Sequence, residues 1–517
     1  MDMYNKAQPF IVTLKLFLRR FHMSCSCVII SSLETTLYCS NHLLYIILFY
    51  TYLFAVDTLE IMDVRFYDYY AREQDVQLED ITSSGNNVAV LQWLRDGCQN
   101  LVWGTAWEDV LFITDSYDSL EDDVAQFIVR EGDDLGWLGY FIGKSQHLRM
   151  LSFASFPEGT GQIDELIRGI SCNRSIQRLC IDADLGRAFD RMDIFFRDNS
   201  KLTELDFGGF NISHESARSL ALALGRSQHK YEHISLEMSN LSDESITEIA
   251  DALVTQSQLN YLAFSNNSLG RNGCAALGNT LMGWHAPSLT YLCLNSNTID
   301  DQGLHSMVSG LKNCHNLTWL DLGGNQISAA GMKSLSELFH SDNCSLKDLF
   351  LSGMNVGDDG IVALAGALKG NKSLTHVRFN PEEAGITEVG WKALSNLLCD
   401  TSTFNNTYLS NHILQTVGFE GRGHDSFGVA QYLAMNKHLQ EDAAIYKMFQ
   451  SHRDFDMKPF FQRGLKFLPV AVEWFERAGK CRFRSDERYL HMLESRKLSA
   501  AYQFVREFHV LVLVGKY

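Results

Sequence analysis

From Leu148 to Leu414 the apolar and polar positions follow two alternating rhythms. A short run such as Leu289-Thr-Tyr-Leu292-Cys-Leu294 has a period of two, which predicts a strand with its leucines on one side. The stretch after each run, as in Gly360-Ile361-Val-Ala-Leu364-Ala-Gly-Ala-Leu368, spaces its apolar residues by three and four, which predicts the buried stripe of a helix. The first apolar anchor of each unit falls at Leu148, Ile176, Leu202, Tyr231, Leu259, Leu289, Leu317, Leu346, Leu374 and Phe404, so successive steps stay between 26 and 30 residues. Strand, helix and short link in this order make every strand parallel to the last, and the wider helices must fan to the outside of a curve. The expected fold is an α/β solenoid: a horseshoe with a parallel concave sheet, convex helices and helical caps at both ends.

The clearest unit, Leu317-Thr-Trp-Leu320-Asp-Leu322-Gly-Gly-Asn325-Gln-Ile327, fits L-x-x-L-x-L-x-x-N-x-L, the pattern of a leucine-rich repeat. With Ala-Ala-Gly331 opening the next helix, it resembles the ribonuclease-inhibitor subtype, whose units run to about 28 or 29 residues. The resemblance covers residues 148–416 and implies the fold without implying a reaction. Asn267, Asn297 and Asn325 hold the ninth position, where a side-chain amide can satisfy backbone groups of the turn, so they are expected to form a structural ladder. The same position holds Phe210, Ser239 and Met354 elsewhere, and Asn380-Pro381-Glu-Glu adds residues before Ile386, so local irregularity is expected there.

Charge divides the flanks. The chain of 517 residues carries a formal net charge of −18. Residues 62–135 hold 17 acidic against 4 basic side chains, whereas 412–517 hold 12 against 16. An acidic head repels phosphate backbones, which argues against nucleic acid and for a protein ligand with a basic surface. Four regions follow: a doubtful extension (1–61), an acidic N-terminal cap (62–147), about ten repeats (148–416) and a helical C-terminal cap (417–517). In the first cap, Trp103, Trp107, Trp137, Tyr140 and Phe141 are expected to cover the open end of the array. In the last, Tyr432 to Phe449, Leu465 to Ala478 and Glu487 to Val514 show helical spacing. The tail, with Phe455-Asp-Met-Lys-Pro459-Phe-Phe and Leu468-Pro-Val-Ala-Val-Glu-Trp474, resembles those of repeat proteins found in diatoms and related algae.

Residues 1–61 contain an uncharged apolar run, Leu43 to Val56, shorter than the roughly 20 residues of a spanning helix. Counting from residue 35 lengthens it to a marginal span. Three readings stand: a membrane anchor over 35–56, a targeting segment, and a start displaced upstream of a true one at Met62, the last being preferred. The twelve cysteines are scattered without a disulfide or zinc pattern, so a reducing, cytoplasmic setting is expected. Sequons such as Asn173-Arg-Ser175, Asn316-Leu-Thr318 and Asn371-Lys-Ser373 precede strands, where Asn and Ser serve turns, so glycosylation is the lesser reading.

No catalytic or cofactor motif is found. Gly418-Phe-Glu-Gly421-Arg-Gly423 lacks the residues of a phosphate loop, and His233 and His376 lie too many repeats apart to share a metal. Function is therefore expected on the concave face, where the third, fifth and seventh positions of each repeat point to solvent. The third position reads Arg178, Glu204, His233, Tyr261, Tyr291, Trp319, Asp348, His376. Its three consecutive aromatics lie on adjacent strands, with Ala263, Cys293 and Asp321 at position five and Phe350 next in line. Large rigid aromatics carry interface energy, whereas neighbouring rings can also pack purely for the sheet. The expected function is a non-enzymatic scaffold gripping a protein at Tyr261, Tyr291 and Trp319, with Glu204, Asp206, Asp321 and Asp348 on the rim. Two alternatives are a regulator of a small GTPase, since Ran GTPase activators use this repeat subtype, and a membrane-anchored recognition protein. The net positive tail here differs from the long acidic tail of those activators.

Overall fold

In a computed structural model the chain divides into two compact units, Met1–Val76 and Gln77–Tyr517. The structure describes residues 70, 73, 75–96, 109–115, 125–156, 162–418, 427–439 and 443–451, apart from a few turn positions. The apolar run 43–56, Trp103, Trp107 and the tail beyond 451 lie outside the described residues. No described helix is long and apolar enough to cross a membrane.

The second unit is built on one open sheet of twelve strands, every neighbouring pair parallel. Its strands are β1 (Val110–Thr114), β2 (Ala125–Ile128), β3 (Met150–Phe153), β4 (Arg178–Ile181), β5 (Glu204–Gly208) and β6 (His233–Glu237). They continue as β7 (Tyr261–Ala263), β8 (Tyr291–Cys293), β9 (Trp319–Asp321), β10 (Asp348–Phe350), β11 (His376–Arg378) and β12 (Thr416–Val417). Spatial order follows chain order from β12 down to β3, and then β1 and β2 complete the edge. The described helices are α1 (Gly85–Asp96), α2 (Leu135–Lys144), α3 (Ile163–Ile170), α4 (Asp193–Asp198), α5 (His214–Arg226), α6 (Asp243–Ala252) and α7 (Arg271–Gly283). After them come α8 (Asp301–Asn313), α9 (Ala329–Ser336), α10 (Gly357–Leu368), α11 (Glu388–Leu398), α12 (Phe404–Tyr408), α13 (Val429–Leu439) and α14 (Ala443–Ser451). A strand followed by a helix, repeated along one parallel sheet, is the expected α/β horseshoe.

The leucines of each strand explain its curvature and its burial. Leu317, Leu320 and Leu322 point into the core between sheet and helices and are almost wholly buried, as are Leu289, Leu292 and Leu294 one repeat earlier. Where a helix is short, aromatics fill the space. Around six-residue α4, Phe189, Phe195, Phe196, Phe207 and Phe210 form one ring cluster, and the buried Tyr231 hydroxyl donates to the Phe196 carbonyl at 2.5 Å. Helices α2 and α3 instead approach through glycines: a Cβ on Gly169 would strike the Gly139 backbone.

The amide ladder at position nine ties each turn to the one before. Asn297 donates to the carbonyls of Phe264 (2.9 Å) and Leu294 (3.0 Å) and accepts from the Leu269 amide (2.9 Å). Asn267 and Asn325 bridge their repeats in the same way. A second amide series precedes the strands, where the sequence placed Asn173 and Asn371 in turns. Asn173 donates to Ile142 O and Ser145 O and accepts from Ser175 N and Ile176 N, and Asn371 and Asn411 accept from their own turns. The fully buried Asn173 amide is therefore committed to the turn, which explains that sequon without a glycan. Asp243, Asp301 and Asp358 make a third series, each accepting from backbone amides that open a helix of the following repeat.

Two elements differ from expectation. Phe404, taken as the tenth anchor, begins helix α12; the tenth strand in the array follows buried Leu414 instead, so the ninth unit is longer and carries two helices. Its Pro381 region makes a run of turns, as the added residues suggested. At the other end the acidic cap supplies strands β1 and β2 as well as helices. The exposed edge of β2 is occupied by Asn87, whose amide donates to Ile128 O (2.7 Å) and accepts from Ile128 N (3.0 Å).

The C-terminal closure centres on a lysine. Lys447 of α14 is fully buried, and its Nζ donates to Leu398 O (2.7 Å), Asn411 O (3.2 Å) and Asn436 Oδ1 (2.6 Å). Leu398 is the last residue of α11, so the amine sits where helix carbonyls lack partners. Burial pushes this amine down to about 7.

Candidate functional site

Because positions one, four and six of each repeat are buried, positions three and five face the hollow of the horseshoe. Strand register sets third position against third position, so Tyr261 lies beside Tyr291 and Tyr291 beside Trp319. The rings make one stack. His233 and Tyr261 lie 4.1 Å apart with planes at 5°, Tyr261 and Tyr291 at 6.1 Å, Tyr291 and Trp319 at 6.1 Å, and Trp319 and Phe350 at 4.3 Å. The Arg378 guanidinium ends the stack 5.0 Å from the Phe350 ring. The stack shifts from position three to position five at β10, where Asp348 holds the third position and meets His376 Nδ1 at 3.3 Å and Arg378 at 4.0 Å. Each ring pair contributes about 0.5–1.5 kcal/mol beyond its buried area. Most members are half-buried, whereas Tyr291 is 42% exposed and offers its ring to solvent.

Acidic groups flank the stack on the β4 to β6 side. Arg178 is shared by Asp206 (3.0 Å) and Glu204 (3.7 Å). Burial raises the Asp182 carboxyl, with Asp206 adding to the effect, and burial lowers the His233 imidazole. On the far side Asp321 accepts from the Gly323 amide at 2.9 Å; burial raises its carboxyl and the charge of Glu237 raises it further. Tyr261 leans to Cys293, whose thiol burial pushes up to about 11.

The structure thus gathers His233, Tyr261, Tyr291, Trp319 and Phe350 into one surface, with Glu204, Asp321 and Asp348 at its margins. Asn267, Asn297 and Asn325 lie beneath the turns and take no part in it. His233 and His376 sit at opposite ends, and among the described residues no cluster of three or more His, Cys, Asp or Glu side chains could hold a metal ion. Three residues went unnoticed in the sequence: Glu237, Met238 and Ser265, at positions seven and eight. A signal existed, since position eight holds left-handed backbone in successive repeats (Gly209, Met238, Asn266, Ser296, Gly324, Gly353) and Met238 alone among them is a large apolar residue.

A family model described as Leucine Rich repeat matches residues 285–308, 313–336 and 342–365. Among curated proteins the chain is similar to NACHT, LRR and PYD domains-containing protein 5 of Bos taurus, 29% identical over 205 residues, covering 39% of this chain and 18% of that protein. It is also similar to protein 9 of that series from Bos taurus, 32% identical over 157 residues (30% and 15% of the two chains), and to protein 14 from Mus musculus, 22% over 285 residues (54% and 28%). The chain therefore spans less than a third of the length of these relatives. Of solved structures, the yeast Rad7 and Elc1 complex aligns at 15% identity and TM-score 0.36, covering 69% of this chain and 84% of that one. An internalin from Listeria monocytogenes aligns at 15% and 0.34, covering 62% and 95%.

Proposed function

Taking the chain as the leucine-rich repeat protein that its parallel sheet and its family match make it, we propose that it is a non-enzymatic scaffold holding a protein partner in the horseshoe. Tyr261, Tyr291 and Trp319 form the centre, His233 and Phe350 extend it, and Glu204, Asp321 and Asp348 give its margin a preference for basic surface. The observation that carries the reading is the continuous stack from His233 to Arg378 with Tyr291 open to solvent. A preordered row of rings loses little side-chain freedom on binding, which is why such residues dominate interfaces. The unit length and the single helix of most repeats support the ribonuclease-inhibitor subtype. The scattered thiols, with Cys274 and Cys314 pushed up to about 12 by burial, suit a reducing cytoplasmic setting.

The test is affinity capture from the source cell with the full chain and with Tyr261→Ala/Tyr291→Ala/Trp319→Ala, the variant first shown to keep its circular dichroism. A protein retained by the first and lost by the second is expected. Equal retention by both would reduce the stack to sheet packing.

A further inference from the structure

Two arginines occupy the third and fifth strand positions of the concave face, one on either side of the aromatic stack, and they are not alike. Arg178 on β4 is engaged: its Nη2 lies 3.0 Å from Asp206 and its Nε 3.7 Å from Glu204. Arg378 on β11 has no such partner. Its guanidinium makes no hydrogen bond among the described residues, and the Asp348 carboxylate approaches only to 4.0 Å, beyond hydrogen-bond length. The same Asp348 oxygen lies nearer to His376 Nδ1, at 3.3 Å. Glu383, in the turn after β11, is taken up by Asn380 Nδ2 (2.8 Å) and the Gly353 amide (3.2 Å).

What positions Arg378 is a ring. Strand register sets it beside Phe350, and its guanidinium carbon stands 5.0 Å from the ring centroid. Stacking orients the guanidinium plane and leaves its edge, where the N–H donors point, unused. The side chain is 42% exposed, and because Nε is buried and unpaired, the two outer nitrogens are the ones a partner reaches. A planar fork held in place loses little freedom on binding and matches a carboxylate with two parallel hydrogen bonds. A phosphate fits less well, since its second negative charge would meet Asp348 beside the same guanidinium, whereas one carboxylate makes a balanced pair.

The fork also has a fixed place relative to the stack. From Arg378 the row runs through Phe350 and Trp319 to Tyr291, the most exposed ring, three strand spacings or roughly 14 Å away. That span is about four residues of an extended chain or about nine of a helix. We propose that Arg378 receives an aspartate or glutamate side chain of the protein partner, gripped by both outer nitrogens, in a segment whose apolar side chain rests on Tyr291. This deepens the scaffold reading and rests on it. It also orients the partner, whose basic surface faces Glu204 and Asp206 while its acid lies at the β11 end.

The probe is a random dodecapeptide library displayed on phage, panned on the full chain and on Arg378→Gln and Arg378→Glu, each shown to keep its circular dichroism. Peptides selected by the unaltered chain carry Asp or Glu about four or about nine residues from an apolar side chain. Arg378→Gln keeps the apolar residue and loses the acid, and Arg378→Glu selects Lys or Arg in its place. The best peptide is then made with an amidated C-terminus and an N-terminal fluorescein and followed by anisotropy. Replacing its acid by the matching amide weakens binding about tenfold to the unaltered chain and less than twofold to Arg378→Gln, a coupling that a merely structural arginine would not give. Phosphoserine in place of the acid binds more weakly than the carboxylate. No selected peptide, selected peptides without an acid, an acid whose effect survives Arg378→Gln, tighter binding of phosphoserine, or binding that requires a free C-terminal carboxylate overturns the seat. Peptides lost with Tyr261→Ala/Tyr291→Ala/Trp319→Ala but indifferent to Arg378 would leave the scaffold reading standing and remove this one; acid selection that depends on Arg378 and survives the triple change would keep the seat and remove the stack as the centre.

Discussion

At Asn297 and at Lys447 buried turn carbonyls receive their hydrogen bonds, from a neutral amide in the middle of the array and from an amine at its C-terminal end. Asn297 bridges two like turns, its own and that of the preceding repeat, and the same residue type recurs at 267 and 325 because the same geometry recurs. Lys447 reaches the end of α11 and the Asn411 turn from a helix that is not a repeat, with Asn436 completing its shell. Inside a solenoid a neighbour of known shape is always available, so one short polar side chain per unit suffices. At the end no next unit follows, and a longer side chain from the cap must cross the gap.

The largest effect should come from breaking the closure. Lys447→Ala leaves the Leu398 carbonyl and Asn436 Oδ1 buried without this donor, while the Asn411 carbonyl keeps the Asn436 amide, and is expected to destabilise the C-terminal end by about 3 kcal/mol, read as lost hydrogen-exchange protection in α11, α13 and α14 with β6 to β8 unchanged. Asn297→Ala breaks the regular middle. It leaves the Leu269 amide without an acceptor and takes one of two side-chain donors from the Phe264 and Leu294 carbonyls, at about 2 kcal/mol, and because each unit packs only on its neighbours, protection should fall around Phe264 to Asn297 and remain at Lys447. If either change melts the whole array at once, the two regions are one cooperative unit and the contrast between them fails.

The smallest effect separates the regions by pH. Burial, with Lys447 adding to it, pushes the His412 imidazole down to about 4 from its ordinary 6.5. The unfolded segment thus binds a proton that the folded one refuses; the His412 contribution is fully present above pH 6.5 and is lost as pH falls through about 4. Lys447 acts in the same sense higher up, its contribution present above 10.5 and lost as pH falls toward 7. Hydrogen exchange between pH 7 and 4.5 should show the closure loosening before the Asn267 to Asn325 repeats do. His412→Gln should flatten that dependence; an unchanged profile would remove His412 as its cause.

Much of this molecule is legible before folding because its order is short-ranged. Leucine spacing is decided within a single unit, so strand, helix and parallel sheet follow from residues close in the chain, and the third-position aromatics can be set side by side from the period alone. The period misled once, at Phe404, where the ninth unit takes up a second helix before its partner strand. Other features needed the tertiary structure. How closely each ring meets the next, 4.1 Å at His233–Tyr261 but 6.1 Å at Tyr261–Tyr291, and the exposure of Tyr291 depend on how the side chains lean. The unpaired Ser265 hydroxyl and the partners of Lys447, the farthest 49 residues away, are set by groups that no local pattern relates. The sequence by itself determined the repeating unit and the face it presents, because apolar periodicity acts over one turn or one strand. Only the tertiary structure decided which polar groups on that face and at its closure found partners, because hydrogen bonds and charges are satisfied by whatever distant residue the curved sheet brings within reach.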